Sequence, residues 1–309
     1  MAADLIAFIC IYLYFPHICP MKSSLPKSRL YQSAPVHGLL CLLLLIGSLP
    51  ACSPKPYAAT NKIYEKKAKD FAQEYRQLPE LSVNDSLLIG RWIGTTNFNV
   101  RKPNYVIIHH TAQDSTEQTL HTFTLPRTSV SSHYVIGRDG EIVQMLHDHF
   151  RAWHAGSGKW GNTTDLNSAS IGIELDNNGF SSFPESQINS LLHLLMALKE
   201  KYNIPTANFI GHADIAPSRK VDPSPHFPWK TLADHGFGLW HNLDSNLGAA
   251  QEPLPDFSVR DALRIIGYDT SDLPAAIRAF KIRFVQLNVD PELSERDLRK
   301  LYSIYQQSL

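Results

Sequence analysis

The chain has 309 residues, with 29 Lys and Arg against 29 Asp and Glu, so its formal net charge is zero. This length leaves room for two domains, and 43% hydrophobic residues can bury a normal core, which excludes the disordered and low-complexity classes. The balanced charge and the lack of a basic block exclude a nucleic-acid binder that works by phosphate neutralisation. We therefore expect no nucleic acid as partner, and no pattern predicts a protein partner.

The N-terminal segment predicts a lipoprotein signal. Residues 39–46 form an apolar run that is shorter than the ~20 residues of a membrane-spanning helix but fits a signal peptide. The following residues, LPAC, resemble the lipobox of bacterial lipoproteins, so we expect a signal peptide over 21–51 and lipidation at Cys52. An ordinary cleaved signal with an incidental cysteine is the alternative. We interpret residues 1–20 as an over-extended start before Met21, the alternative being a genuine second apolar segment.

The residues around Cys52 also predict a location. Ser53 stands where an Asp tends to retain lipoproteins at the inner membrane, so by analogy with lipoprotein sorting we expect an outer-membrane anchor facing the periplasm. The other cysteines, Cys10, Cys19 and Cys41, all precede Cys52. The chain beyond Cys52 therefore has no thiol nucleophile, and a metal site there must use His, Asp or Glu.

Composition and periodicity predict the domains of the mature chain. We expect a polar tether over 52–80 that ends in a short helix, an α/β domain over 81–241, a Gly/Ala/Pro linker over 242–255 and a helical domain over 256–309. The predicted elements of the α/β domain are, in chain order, a strand at 105–110, a hairpin of strands 134–136 and 141–145, a strand at 170–175, a helix at 185–202 and a strand at 208–211. Hairpin and crossover connections together predict a mixed sheet flanked by helices.

Two segments carry candidate metal ligands. His109 and His110 end an apolar strand, and because neighbouring strand residues point to opposite faces, one site takes only one of them. His212 and Asp222 lie ten residues apart in a Pro-rich loop that could fold both onto one ion. With one distant His, this loop would complete the three N/O ligands that catalytic zinc sites commonly use. A surface His with a turn-forming Asp is the alternative.

Glu174 is the candidate acid/base. It lies within the apolar strand SIGIEL, where alternation places Ile171 and Ile173 on one face and Gly172 and Glu174 on the other. A carboxylate aimed into a cleft there would be a general base whose pKa is raised by burial. The alternative is an edge strand whose polar face meets solvent.

Five motifs occur in one order, IIHHTA, SSHYVIGRDGEI, AWHAG, SIGIELDN and GHADIAPSRKVDPSPHFPW. Over residues 90–230 they resemble the zinc-dependent N-acetylmuramoyl-L-alanine amidases of the amidase-2 family, including lipoprotein members of the bacterial outer membrane. The resemblance implies one zinc ion per chain held by His109, His212 and Asp222. It implies that Glu174 is the catalytic acid/base and that Lys220 stabilises the oxyanion. Some family members have Tyr where Ser132 stands, and its absence fits the subgroup that relies on Glu174.

Substrate contacts are expected in the segments between these motifs. Trp153 and His154, with Asn162 in the Gly-rich loop that follows, are candidates to line the substrate cleft, although Trp153 could equally be a core residue. Arg219 could pair with a carboxylate of the stem peptide, because guanidinium suits bidentate recognition. A plain surface Arg is the alternative.

Residues 256–309 resemble a small peptidoglycan-binding module of three helices. Its middle segment has Ile277, Phe280, Lys281 and Phe284 at helical spacing, a stripe that is otherwise the core of the module.

The sequence therefore predicts hydrolysis of the amide between N-acetylmuramic acid, or its anhydro form, and L-alanine in peptidoglycan or muropeptides. A catalytically inactive peptidoglycan-recognition lipoprotein and a zinc amidohydrolase with another substrate are the alternatives.

Overall fold

The computed structural model describes residues 55–76, 82–84, 87–88, 97, 100, 102–244 and 253–309. The predicted over-extended start, signal peptide and lipidation site at Cys52 lie outside these residues, as does most of the predicted linker. The chain divides into two compact units, Met1–Phe71 and Ala72–Leu309. Helix α1 (Ala58–Glu74) lies where the sequence predicts a short helix at the end of the tether, and it buries none of its side chains. No helix within the described ranges is both long and apolar enough to cross a membrane.

The second unit is built on a five-stranded mixed sheet. Its strands are β3 (Tyr105–His110), β4 (Tyr134–Ile136), β5 (Ile142–Gln144), β6 (Ser170–Leu175) and β7 (Phe209–Gly211), after a separate two-stranded ribbon of β1 (Ser82–Asn84) and β2 (Leu87–Leu88). The order across the sheet is β5-β4-β6-β3-β7. Strands β4, β6, β3 and β7 run parallel, and β5 pairs antiparallel with β4 across the predicted hairpin. The mixed sheet is confirmed.

Helices cover the sheet and continue beyond it. They are α2 (Thr116–Thr124), α3 (Leu166–Ala169), α4 (Glu185–Tyr202), α5 (His212–Ile215) and α6 (Trp229–Asp234), followed by α7 (Val259–Ile266), α8 (Leu273–Phe284) and α9 (Glu295–Gln307). Single 3-10 turns lie at Pro126–Thr128, Thr206–Asn208 and Asn242–Asp244. The predicted helix at 185–202 is confirmed as α4. Helix α2 was not predicted, because its buried face consists only of Thr119 and Leu120.

Apolar side chains bury both faces of the sheet. On one face Val106, Ile108, Ile171 and Ile173 pack with the stripe of α4, which contributes Ile188, Leu191, Leu195 and Leu198. On the other face Ile107 and Ile210 pack with residues from α3 and α5. All six residues of β6 are buried, so the edge-strand interpretation of this segment is wrong. Met196, which the periodicity places in the apolar stripe of α4, is 47% exposed and lies at the border of that face.

The C-terminal helices form their own apolar cluster. Ala262, Leu263, Phe280, Leu301 and Ile304 are completely or almost completely buried in it. The predicted stripe on α8 is core, including Lys281, whose ammonium group donates to the Asp290 carboxylate at 2.7 Å and to the Glu292 carbonyl. The buried charge of Lys281 is thus used inside the module, where it fixes the loop between α8 and α9.

Candidate metal centre and catalytic cleft

Three predicted ligands meet at one edge of the sheet. His109 is at the C-terminal end of β3, His212 directly follows the neighbouring parallel strand β7, and Asp222 lies in the loop beyond α5. The Nδ1 atoms of the two histidines are 2.9 Å apart, and Asp222 Oδ2 is 3.1 Å from the His109 atom and 3.0 Å from the His212 atom. Because parallel strands end at the same sheet edge, residues over a hundred positions apart converge there.

The lone pairs of this cluster fit a cation. His212 Nε2 lies 3.0 Å from the Ala155 carbonyl, which can only accept, so this nitrogen carries the proton and Nδ1 carries the lone pair. Two imidazoles and one carboxylate, with ligand atoms all within 4.8 Å, match the three N/O ligands of a catalytic zinc site.

The loop between His212 and Asp222 is closed by its own backbone. The Ala213 amide donates to the Asp222 carbonyl at 2.7 Å, which joins the two ends of the loop. Just beyond, the Ser224 amide donates to His110 Nδ1 at 3.1 Å. This hydrogen bond to His110 holds the loop in place, and strand alternation directs the His110 side chain away from the face of β3 that carries His109. The turn-forming alternative for Asp222 does not account for the convergence of the three ligand atoms.

Glu174 lies next to the cluster because of strand register. Strands β3 and β6 pair in parallel with His109 directly opposite Glu174, so both side chains project from the same face. Glu174 Oε1 is 4.0 Å from His109 Nδ1, and Oε2 is buried without a hydrogen-bond partner among the described residues. Burial, reinforced by the charge of Asp222 and opposed by that of Lys220, raises the pKa of Glu174 to about 8.

Burial lowers the pKa of three histidines in and around the cluster, which favours their neutral forms. Burial and the neighbouring charge of His212 lower the pKa of His109 to about 4. Burial also lowers the pKa of His110, and it lowers the pKa of His154 well below its ordinary value, with repulsion from His109 acting in the same direction. Neutral imidazoles keep the lone pair that metal binding requires.

A cleft of about 390 Å³ opens above the cluster, lined by Glu174, Lys220 and Trp153 together with the ligands. Trp153 is 53% exposed, so its predicted place on the cleft wall fits better than a core position. Gln113 also lines the cleft and has a buried Oε1 without a partner among the described residues, although no sequence pattern singled it out.

The remaining predicted substrate contacts lie in different places. Arg219 borders the cleft, but its guanidinium donates to the carbonyls of Ala155 and Ser157, so it braces this loop. Asn162 is exposed in the turn between Trp160 and Thr163, and the structure does not bring it to the cleft.

Two other residues from the motifs lie below the cleft. His154 is 8% exposed and lies under His109, with the imidazole nitrogens of the two residues 3.0 Å apart. Ser132, where some relatives in the predicted family have Tyr, is fully buried and donates to the Gly172 carbonyl at 2.7 Å. Neither side chain therefore projects into the cleft, although His154 forms part of its floor.

Several known proteins have sequences similar to this chain. Residues 99–225 match the Amidase_2 family, described as N-acetylmuramoyl-L-alanine amidase. The N-acetylmuramoyl-L-alanine amidase AmiD of Escherichia coli is 32% identical over 222 residues, which cover 65% of this chain and 72% of AmiD. The 1,6-anhydro-N-acetylmuramyl-L-alanine amidase AmpD of the same organism is 43% identical over 100 residues, covering 32% of this chain and 55% of AmpD.

Solved structures show the same relationship. The complex of E. coli AmiD with anhydro-N-acetylmuramic acid-L-Ala-D-γ-Glu-L-Lys superposes with a TM-score of 0.60 at 29% identity, covering 72% of this chain and 94% of that one. AmpDh3 of Pseudomonas aeruginosa, in complex with an anhydromuramic pentapeptide, gives a TM-score of 0.61 at 27% identity and covers 74% and 99% of the two chains. The likeness extends over the mixed sheet and its helices, and the chain belongs to the amidase-2 family of N-acetylmuramoyl-L-alanine amidases.

Proposed function

We propose that this protein hydrolyses the amide between N-acetylmuramic acid, or its anhydro form, and L-alanine, with one zinc ion held by His109, His212 and Asp222. The observation that carries the proposal is the convergence of three ligand atoms beside the buried carboxyl of Glu174 at the floor of an open cleft. The substrates bound to the related AmiD and AmpDh3 structures support the anhydro form as a substrate class.

A zinc ion in this site would supply Lewis-acid chemistry, which polarises a carbonyl and acidifies water. Glu174 accepts the proton of the attacking water and delivers it to the leaving nitrogen as the C–N bond breaks. Burial raises the pKa of Glu174 from the ordinary carboxyl range towards neutral pH, and a group that exchanges a proton in both directions works best when its pKa lies near the operating pH. The products are the free lactyl carboxylate and a stem peptide with an L-alanine amino group.

Lys220 supplies positive charge on the cleft wall. Lys220 lines the same cleft as Glu174 and His109, and its charge acts to lower the pKa of both. Negative charge develops on the scissile carbonyl oxygen during attack, and a cation positioned beside this oxygen stabilises the charge. We propose that Lys220 has this role. Trp153 offers an exposed apolar surface on the same wall for the substrate.

The test uses the purified protein with peptidoglycan and with an anhydro-muropeptide, and the products are followed by mass spectrometry. We expect stem peptides beginning with L-alanine, loss of this release with a chelator, and its return with zinc. Release that persists after complete metal removal would contradict the metal centre. Zinc-loaded protein that co-sediments with sacculi and cleaves neither substrate would favour the inactive recognition protein instead.

The inactive alternative has less support than the enzyme. Loss of a metal ligand or of the acid/base would favour it, whereas here the ligand set, Glu174 and Lys220 all border one cleft. An amidohydrolase with another substrate has no observation in its favour.

We further propose that the mature protein begins at a lipidated Cys52 and is anchored in the outer membrane facing the periplasm. The LPAC segment supports lipidation at Cys52, and Ser53 supports the outer-membrane location. Metabolic labelling with a fatty acid should mark the protein and should fail for Cys52→Ala. Labelling of that variant, or fractionation of the wild type with the inner membrane, would contradict the proposal.

The C-terminal helices are proposed to add affinity for peptidoglycan. Lys281 does not serve this purpose, because its charge is buried and paired within the module. Binding would use the exposed surface of α7 and α9. Co-sedimentation of the protein with sacculi, in competition with soluble muropeptides that fill only the cleft, would measure it; complete competition by the muropeptides would exclude a second binding surface.

A further inference from the structure

His154 lies in an unexpected place for a residue of the cleft motif AWHAG. It is buried beneath His109, and its Nδ1 is 3.0 Å from His109 Nε2, the ring nitrogen that faces away from the metal centre. We infer that His154 is a positioning residue for the metal ligand His109 and not a substrate contact. The inference rests on the metal centre proposed above and adds the residue that orients one of its ligands.

The directions of three hydrogen bonds support this inference. Ser170 Oγ donates to the Leu166 carbonyl, because a carbonyl only accepts. The same Oγ, 3.3 Å from His154 Nε2, is then left to accept from that nitrogen. A neutral imidazole that donates from Nε2 presents a lone pair at Nδ1, so His154 Nδ1 accepts a hydrogen bond from His109 Nε2–H.

The series of hydrogen bonds that runs from Ser170 through His154 to His109 ends at the metal centre. Because His109 donates from Nε2, its Nδ1 carries a lone pair, and this atom is the one that faces His212 and Asp222. His212 reaches the same state by donating its Nε2 proton to the Ala155 carbonyl. Both imidazoles are thus held as ligands by partners on their far side, one by a backbone carbonyl and the other by His154.

A glycine makes room for the His154 ring. A Cβ at Gly172 would lie 2.4 Å from His154 Cγ and 2.6 Å from its Nδ1, so any larger residue would displace the ring. Gly172 lies two residues before Glu174 on the same face of β6, and it pairs with Ile107 of β3. The ring of His154 therefore packs against the Cα of Gly172, where β6 has no side chain.

The position of Gly172 is fixed on both of its backbone groups. Its amide donates to His133 Nδ1 at 3.1 Å, and its carbonyl accepts from Ser132 Oγ at 2.7 Å and from the His133 amide at 3.2 Å. His133 is fully buried and lies 2.9 Å, through Nε2, from the Phe150 carbonyl. These hydrogen bonds hold the Gly172 backbone, against which the His154 ring packs, in one position. A residue that orients a metal ligand requires such a fixed support.

Partners that hold the far nitrogen of a ligating His raise its basicity and fix its ring, and their loss typically costs about 10- to 100-fold in metal affinity. His154→Phe keeps a ring of similar size but removes the acceptor. His154→Asn places an amide oxygen near the former Nδ1. We expect the Phe variant to lose about 10- to 100-fold in zinc affinity and the Asn variant to lose less.

The experiment measures zinc affinity of the wild-type protein and these variants by competition with a chromophoric chelator at fixed pH. Thermal unfolding of the metal-free proteins reports whether each variant folds. His193→Phe, an exposed histidine on α4, is the matched control and should bind zinc like the wild type. Cobalt-substituted protein adds a spectroscopic signature, because a reoriented ligand changes the visible absorption bands of the ion.

Activity at saturating zinc separates the two roles of His154. A positioning residue alters zinc affinity and kcat and leaves KM for the muropeptide near the wild-type value, whereas a substrate contact raises KM and leaves zinc affinity unchanged. A folded Phe variant that binds zinc as tightly as the wild type overturns the inference while the proposed amidase activity stands. A wild-type protein that binds no zinc overturns both.

Ser170→Ala tests the same series of hydrogen bonds one step further from the metal centre. It removes the acceptor that fixes the His154 tautomer without touching the ring, so it keeps the test decisive if the Phe variant does not fold. We expect a smaller loss of zinc affinity than for His154→Phe, with the metal-free protein folded. Zinc affinity equal to that of the wild type in this variant would remove the basis for the tautomer argument and overturn the inference.

Discussion

Glu174 shows how one residue acquires its chemistry from strand register. In the sequence it interrupts an apolar strand, and the fold pairs it with His109 across two parallel strands in the middle of the sheet. The burial that raises the pKa of Glu174 to about 8 also costs free energy, so the buried position of this carboxyl points to a functional role. Its Oε2, which has no hydrogen-bond partner within the described part of the chain, lies at the floor of the cleft, where a lone pair can take a proton from water.

We predict that Glu174→Gln lowers kcat by about 10²- to 10⁴-fold, the usual range for loss of a general acid/base. Gln keeps the size of the side chain and removes its ability to carry the proton, so zinc affinity and KM should change little. Steady-state kinetics on an anhydro-muropeptide and chelator competition measure both. Glu185→Gln, in the first turn of α4, is the control and should behave as the wild type. Unchanged turnover by Glu174→Gln would exclude the proposed role.

Asp148 joins β4 to α4. It accepts hydrogen bonds from Tyr134 of β4 and from Tyr202 at the end of α4, each at 2.6 Å, and an ion pair with Lys201 at 2.9 Å completes the cluster. Burial alone would raise the pKa of Asp148, but these donors outweigh it and lower the pKa below its ordinary value. The carboxylate therefore fastens the hairpin to the helix that covers the sheet.

The depressed pKa of Asp148 predicts a pH-dependent contribution to stability. Its folded-state pKa lies below the unfolded value of about 3.9, so the contribution is complete well above that pH and disappears as the pH falls through the folded-state pKa. We expect Asp148→Asn to lower the free energy of unfolding at pH 7 by about 1–3 kcal/mol, because it weakens the bonds from three donors.

Denaturant unfolding of both proteins between pH 7 and pH 3 measures this effect. The difference in the free energy of unfolding between the wild type and Asp148→Asn reports on this carboxyl alone, because the other titrating groups are the same in both proteins. We expect this difference to shrink as the pH falls towards 3. A difference that is constant with pH would mean that the Asp148 charge contributes nothing.

The sequence predicted elements well where periodicity was strong. Strands β3 and β6 and helix α4 have the predicted bounds, because each carries an apolar pattern of its own period. Helix α2 has only one buried aliphatic side chain, Leu120, and so has no such pattern. A sequence motif shows that a residue lies near the site, but it does not show how deeply the side chain is buried. His154 belongs to a motif that is expected to line the cleft, yet its ring lies beneath the cleft because Gly172 has no side chain to occupy that space.

At the scale of the molecule, the C-terminal helices are joined to the sheet by a buried polar contact. Arg283 of α8 donates to the Asp214 carboxylate at 2.6 Å and to the Phe209 carbonyl at 3.0 Å, and Tyr268 donates to the other oxygen of Asp214 at 2.7 Å. All three side chains are at most 3% exposed. Asp214 also caps α5 by accepting from the Gly211 amide, so the contact reaches the helix that begins at His212.

We predict that Arg283→Gln lowers the free energy of unfolding by about 3–5 kcal/mol, because it leaves the carboxylate of Asp214 buried without its counter-ion. Arg264→Gln is the matched control in the same module: its ion pair with Asp261 is more than half exposed, and such pairs contribute about 0–1 kcal/mol. Tyr268→Phe should cost about 1–3 kcal/mol, the penalty for an acceptor left unsatisfied. Equilibrium denaturation monitored by tryptophan fluorescence measures all three variants. If Arg283→Gln unfolds like Arg264→Gln, the ion pair does not join the module to the sheet. If instead it unfolds in two separated transitions, the pair is needed, in addition to the apolar contacts of Trp160 and Trp240 with the module, to make the module and the sheet one cooperative unit.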